Sequence, residues 1–185
     1  AGTLTLSGAN SYTGLVTISD GALRAVHNTA LGTVAGGVTV ASGAALELSG
    51  GVTIGDEALT LNGTGISNGG ALRSISGNNT YGGQVTLSTN ATRINADAGT
   101  LTLNKSTTAI TATNIGLTIG GDGDTTVTTI IATGTGALTK DGAGTLILSG
   151  ANTFSGDTSI SAGTLKTTGT LSTSNYCNPN YGEWQ

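Results

Sequence analysis

The segment Gly2-Thr-Leu-Thr-Leu-Ser-Gly-Ala-Asn-Ser-Tyr-Thr-Gly14 returns almost letter for letter as Gly144-Thr-Leu-Ile-Leu-Ser-Gly-Ala-Asn-Thr-Phe-Ser-Gly156. The correspondence continues through Ile18/Ile160, Gly21/Gly163 and Leu23/Leu165. A weaker copy lies between them, Ser76-Gly-Asn-Asn-Thr-Tyr-Gly-Gly83, followed by Val85 and Leu87. Repetition on this scale outranks any local signal. A chain of short strand-and-turn units stacks them, so that each unit buries its apolar face on its neighbours. Such an architecture makes length and surface rather than one enclosed catalytic pocket.

The units read as strands because apolar residues alternate with threonines at period two. Thr3-Leu4-Thr5-Leu6, Val16-Thr17-Ile18, Val38-Thr39-Val40, Leu59-Thr60-Leu61 and Leu101-Thr102-Leu103 show the pattern, and Gly, Asn, Asp or Ser bound each run. No stretch holds a helical period over ten residues; Ala91 to Asp97 comes nearest. The alternation places Leu4, Leu6, Val16, Ile18, Leu23, Leu46, Leu48, Val85, Leu87, Leu101, Leu103, Leu146, Leu148, Ile160 and Leu165 inside. Asn10, Asn79 and Asn152 mark the same place in the three copies. Each interval approximates three units of roughly 23–24 residues, enough for a rung of three strands and three turns. About eight rungs then fit, and strands about 4.8 Å apart make a shaft roughly 35–40 Å long.

Composition narrows the class. Only 9% of residues are charged, with 6 basic against 10 acidic and a net charge of −4. The six cations, Arg24, Arg73, Arg93, Lys105, Lys140 and Lys166, are scattered singly, which argues against a nucleic-acid partner. Low charge with abundant β-branched residues argues against disorder. Aromatics make up 3%, so small aliphatics must fill a narrow core. No apolar run approaches the roughly 18 residues of a membrane span. Ala1 opens directly in a repeat, which reads as a processed product or an excised segment. Residues 1–171 form the repeat domain. The tail, 172–185, holds the only Pro (Pro179), the only Cys, the only Trp and two of the four Tyr. Tyr176, Cys177, Tyr181 and Trp184 are therefore the candidate self-association residues, on a cap or docking arm that covers the open end of a rung stack.

The pattern G-x-G-T-L-x-L-S-G-A-N-x-[YF]-[ST]-G…I-S-x-G-x-L, fullest from Gly142 to Leu165 and repeated from Gly2 to Leu23, resembles the passenger-associated β-strand repeat of Gram-negative autotransporters. Asn28-Thr-Ala-Leu-Gly32 and the run from Val38 to Leu48 resemble the units that link such repeats. The likeness covers about residues 1 to 167. It implies an all-β, right-handed parallel β-helix (β-solenoid), export to the cell surface or medium, and a role as stalk or adhesin. The family's repeats usually lie near a C-terminal β-barrel translocator; no barrel follows here, and Asn175 to Gln185 does not match the repeat.

Candidate chemistry is sparse. His27 is the only histidine and stands far from Cys177, so a Cys–His pair or a His/Cys zinc site has no basis. Asp56 and Glu57 are adjacent and would point to opposite faces of a strand, so they read as turn residues. Gly120-Gly-Asp-Gly-Asp-Thr125 resembles one calcium-binding nonapeptide but lacks the second copy that completes each ligand set, and reads as a turn. Asn10, Asn79 and Asn152 read as corner residues, with Tyr12, Tyr81 and Phe154 packing over the same corner. No catalytic, metal or cofactor residue is assigned. The expected function is a non-catalytic extracellular shaft that joins end to end or meets other surface proteins or glycans, without direct membrane insertion. Ice binding by Thr-x-Thr rows such as Thr3/Thr5, Thr100/Thr102 and Thr126/Thr128 is the alternative. A polysaccharide-processing β-helix is a weaker one.

Overall fold

The structure, a computed structural model, describes residues 2–89 and 91–171 and the strand backbone of Tyr176–Cys177. The chain winds through three parallel sheets in about seven turns. The first sheet has nine strands, from Thr3–Leu6 through Ala22–Ala25, Ala45–Ser49, Leu72–Ser76, Thr92–Ala96, Leu117–Gly120, Leu138–Lys140 and Thr158–Ile160 to Tyr176–Cys177. The second sheet has six, from Val16–Ile18 to Ile130–Ala132, and the third has six, from Thr53–Ile54 to Thr164–Thr167. Nine strands at about 4.8 Å span roughly 38 Å.

Strands this short hold together because every inward residue sits on one from the next rung. Leu4, Leu23, Leu46, Leu72, Ile94, Ile119, Lys140 and Ile160 form one inward column of the first sheet. Val16, Val38, Leu59, Val85, Ile110 and Ile131 form its counterpart in the second. Ile54, Tyr81, Leu103, Val127 and Leu148 do so in the third. Full burial of one such side chain is worth about 1.5–3 kcal/mol, and the column repeats the gain at each rung.

Most of the expected interior is buried: Leu23, Leu46, Leu48, Val85, Leu87, Leu101, Leu103, Leu146, Leu148 and Ile160, which have strands on both sides, and Ile18 on an edge strand. Leu6, Val16 and Leu165 are half-buried. Leu4, expected inside, is 60% exposed. It points along the inward column, but no described rung lies over it.

Rung length is not uniform. The rung that carries Leu46 to its partner Leu72 is much longer than the one that carries Thr158 to Tyr176. The repeat copies consequently drift out of phase. The first and middle copies place Thr3–Leu6 and Leu72–Ser76 in the first sheet, and Val16–Ile18 and Val85–Leu87 in the second. The last copy places Thr145–Leu148 in the third sheet and Thr158–Ile160 in the first. The interval from Asn10 to Asn79 thus equals three rungs, but that from Asn79 to Asn152 overshoots three rungs by one side. The rungs near the C-terminal end are shorter, so a similar length of chain winds further.

Candidate functional site

The corner residues account for most of the repeat's polar signature. Asn79 is buried; its Oδ1 accepts from the backbone N–H of Gly51 (3.0 Å) and Val52 (2.9 Å), and its amide donates to Ser74 Oγ (2.8 Å) and the Ser76 carbonyl (3.0 Å). Asn152 Oδ1 accepts from Ile131 N (3.0 Å) while its amide reaches the carbonyls of Gly150 and Thr170. Asn10 donates to the Ala30 carbonyl at 2.8 Å, and the Tyr12 hydroxyl joins it there at 3.0 Å. Each amide satisfies backbone groups of an adjoining rung that the turns would otherwise leave unpaired. Tyr81 and Phe154 are fully buried, Tyr81 within the inward column of the third sheet rather than over a corner, because its strand continues from Asn79; Tyr12, in the first turn, is 39% exposed.

His27 Nδ1 accepts from the Thr29 backbone at 3.2 Å within its own turn. Asp124 Oδ1 accepts from Thr145 N at 2.7 Å, binding the Gly/Asp turn to the next rung. Among the described residues, no three His, Cys, Asp or Glu side chains come together as metal ligands would. Tyr181 and Trp184 lie outside the described residues, as do the side chains of Tyr176 and Cys177. The backbone of those two extends the first sheet beside Thr158 and Ser159.

The adjacent acids part company. Asp56 is exposed and pairs with Lys105 at 2.5 Å. Glu57 is only 2% exposed, and its Oε1 has no protein hydrogen-bond partner. Burial raises the Glu57 carboxyl above its ordinary range, against a backbone hydrogen bond from Gly37 that lowers it. Burial, and then the nearby Glu57, likewise raise the hydroxyls of Tyr12 and Tyr81.

The arginines that look scattered in sequence gather on one face. Arg24, Glu47, Arg73 and Asn95 are register partners in successive strands of the first sheet. Arg24 binds Glu47 at 2.7 Å, and Arg73 binds Asp97 at 2.6 Å. The hydrogen bond to Asp97, opposed by burial, raises the Arg73 guanidinium further. Asn95 donates to Asp97 at 2.7 Å and accepts from Arg93 Nη2 at 2.9 Å. Arg93 then grips Asp141, two rungs away, through both terminal nitrogens at 2.7 and 2.8 Å. All three arginines of the chain thus lie on one rail. Gly120 makes the last link: a Cβ there would overlap both the Asp141 carboxylate and the Arg93 guanidinium.

The rail ends in a cleft of about 380 Å³. Its polar side chains are Asn68, Arg93, Asn95, Asp97, Asp122 and Asp141. Gly69, Gly121 and Gly142 complete the lining. One wall is the short 3₁₀ turn Ile66–Asn68, carried by the long rung between Leu46 and Leu72, in which Ser67 (φ 50°) and Asn68 (φ 62°) are left-handed. Behind the cleft, the buried Lys140 donates to the carbonyls of Asp141 (2.5 Å) and Gly142 (2.8 Å). Burial lowers the Lys140 ammonium, and Arg93 adds to this, against the attraction of Asp141 and Asp124. Sequence reading missed this site because its members come from different rungs at unequal spacing, with no local motif to join them.

A threonine file marks the second sheet. Thr17, Thr39, Thr60, Thr86 and Thr111 are consecutive register partners. The file is one residue wide, because the strands are three or four residues long.

Among curated proteins and among solved structures there is no significant match to the chain. The sequence profile of the passenger-associated transport repeat matches residues 1–25 and 138–166. These two spans are the segments whose near-identity opens the sequence and whose asparagines close the corners. The chain is a parallel β-solenoid with two segments that match the passenger-associated transport repeat.

Proposed function

We propose that the chain is a non-catalytic segment of a passenger-type shaft, secreted or displayed on the surface of a Gram-negative bacterium, and lengthened by end-to-end stacking of rungs. One observation carries this reading. Among the described residues, the exposed large hydrophobics are Leu4 (60%), Tyr12 (39%), Leu15 (62%) and Val34 (58%), all in the first two turns. They belong to the turns at the end of the stack where Thr3–Leu6 is the edge strand of the first sheet. Another rung with inward Leu or Val residues would continue the columns and pair that edge. Tyr176, Cys177, Tyr181 and Trp184 supply the anchors at the opposite end of a joining copy. The transport-repeat match supports export, and neighbouring copies, other surface proteins and glycans are the proposed partners.

Sedimentation velocity and electron microscopy test the stacking. The full chain should form rods whose length grows with concentration. Leu4→Lys with Leu15→Lys, or deletion of 172–185, should leave short monomers. A full chain that stays monomeric at high concentration, or variants that assemble equally well, would overturn it. Ice binding draws support from the threonine file. A file one residue wide matches a lattice in one direction only, and absence of thermal hysteresis would remove that reading.

A further inference from the structure

We propose that the cleft at the end of the charged rail is a binding site for a neutral, hydroxyl-rich ligand of the size and chemistry of a small saccharide. The site is independent of end-to-end stacking, since it lies on the side of the shaft between the fourth and seventh strands of the first sheet.

Three features of the cleft specify this chemistry. Its side chains are already held in place. Arg93 is fixed by Asp141 and Asn95, Asn95 by Asp97, and Asp97 by Arg73, through bonds of 2.6 to 2.9 Å. A ligand therefore meets a preorganised surface and need not order it. The planar groups retain capacity: a carboxylate has about four acceptor sites and an amide nitrogen two hydrogens. Donors and acceptors stand side by side, which suits neighbouring hydroxyls, each able to give one hydrogen bond and accept others.

The charge balance argues against an anionic ligand, since the lining sets Asp97, Asp122 and Asp141 against Arg93. Arg93 is neutralised by Asp141 and Arg73 by Asp97, so neither guanidinium is left for an anion. A cationic ligand would meet the Arg93 guanidinium in the same cleft, opposite Asp122, the one lining carboxylate without a salt bridge among the described residues. Gly69, Gly121 and Gly142 bring backbone into the lining, and Gly121 and Gly142 are glycine because a Cβ there would overlap the backbone of the adjacent rung. The 380 Å³ volume falls at the lower end of small-molecule sites, about 300–1,000 Å³. The left-handed Ser67 and Asn68 on the rim hold the kind of local strain that collects at ligand sites. Among the described residues no aromatic ring lines the cleft, so affinity should be weak, on the order of millimolar.

The test is an amide-detected nuclear magnetic resonance titration of the full chain with cellobiose, and separately with glucuronate and glucosamine as anionic and cationic controls. Cellobiose should move the Gly69, Gly121 and Gly142 amides saturably and leave the opposite sheets unmoved. Both charged sugars should bind more weakly. Asn68→Gly keeps the left-handed backbone and removes the rim amide; it should weaken cellobiose about 5- to 10-fold, the loss of about one hydrogen bond. Absence of saturable shifts, shifts spread along the shaft, tighter binding of either charged sugar, or an unchanged affinity in Asn68→Gly would each overturn the proposal.

Discussion

At the residue scale, three positions break the local rules of a narrow apolar shaft. Lys140 occupies an inward column between Ile119 and Ile160. Its stem fills the column while its ammonium leaves through the corner to backbone carbonyls, as long cationic side chains do. Glu57 is buried with an unpartnered oxygen, and its carboxyl is raised by that burial. A carboxyl whose folded value lies above its unfolded value favours the folded state most at low pH. That contribution disappears as pH rises from the unfolded value through the folded one. Glu57→Gln should therefore raise the melting temperature at pH 7 and change it little at pH 3.5, as calorimetry at the two pH values would show. Gly120→Ala puts a methyl group into the Arg93–Asp141 pair, of which Arg93 is only 11% exposed. It should cost about 1–2 kcal/mol by urea denaturation, and the neighbouring Thr118→Ala much less.

At the element scale, what matters is position within a column rather than strand identity. Leu4 and Leu23 share a column, yet one is 60% exposed and the other 9%. Leu23→Asp should cost several kcal/mol by leaving a carboxylate unpaired among aliphatics, while Leu4→Asp should cost less than about 1 kcal/mol in the monomer. Leu148→Asp, fully buried in the third-sheet column, should match the severe case. Thr17→Asp, exposed on the second sheet, should cost about 0.5 kcal/mol. Chemical denaturation of the four variants checks the whole pattern. Equal losses for Leu148→Asp and Thr17→Asp would reverse the assignment of inner and outer faces.

At the scale of the molecule, a stack of rungs has ends that differ from its middle. Every central strand of the first sheet has a parallel partner on each side, whereas Thr3–Leu6 has one. Stability in such arrays is close to a sum of nearest-neighbour terms, so the end rung is the first to open. Hydrogen–deuterium exchange at low protein concentration should release the amides of Thr3–Leu6 and Val16–Ile18 well before those of Leu72–Ser76 and Thr92–Ala96. At concentrations that favour rods, the first-turn amides should gain protection. Failure to gain it would separate the apolar end from any role in assembly.

The repeated copies made the parallel solenoid and the corner role of Asn79 legible in the sequence, and period-two alternation, which is local, did the same for the inward identity of Leu46, Leu101 or Leu148. The charged rail was not legible, because Arg24, Glu47, Arg73 and Asn95 stand on successive rungs of unequal length. Only the summed lengths of the intervening loops bring them onto one face. The same sum rotates the last repeat by one side, hides Glu57 and leaves Gly120 beneath an ion pair that spans two rungs. Which faces a residue's strand presents is decided by its immediate neighbours. Which residues meet across rungs is decided by turn lengths accumulated along the chain, and one residue more or less in a corner changes every partner beyond it.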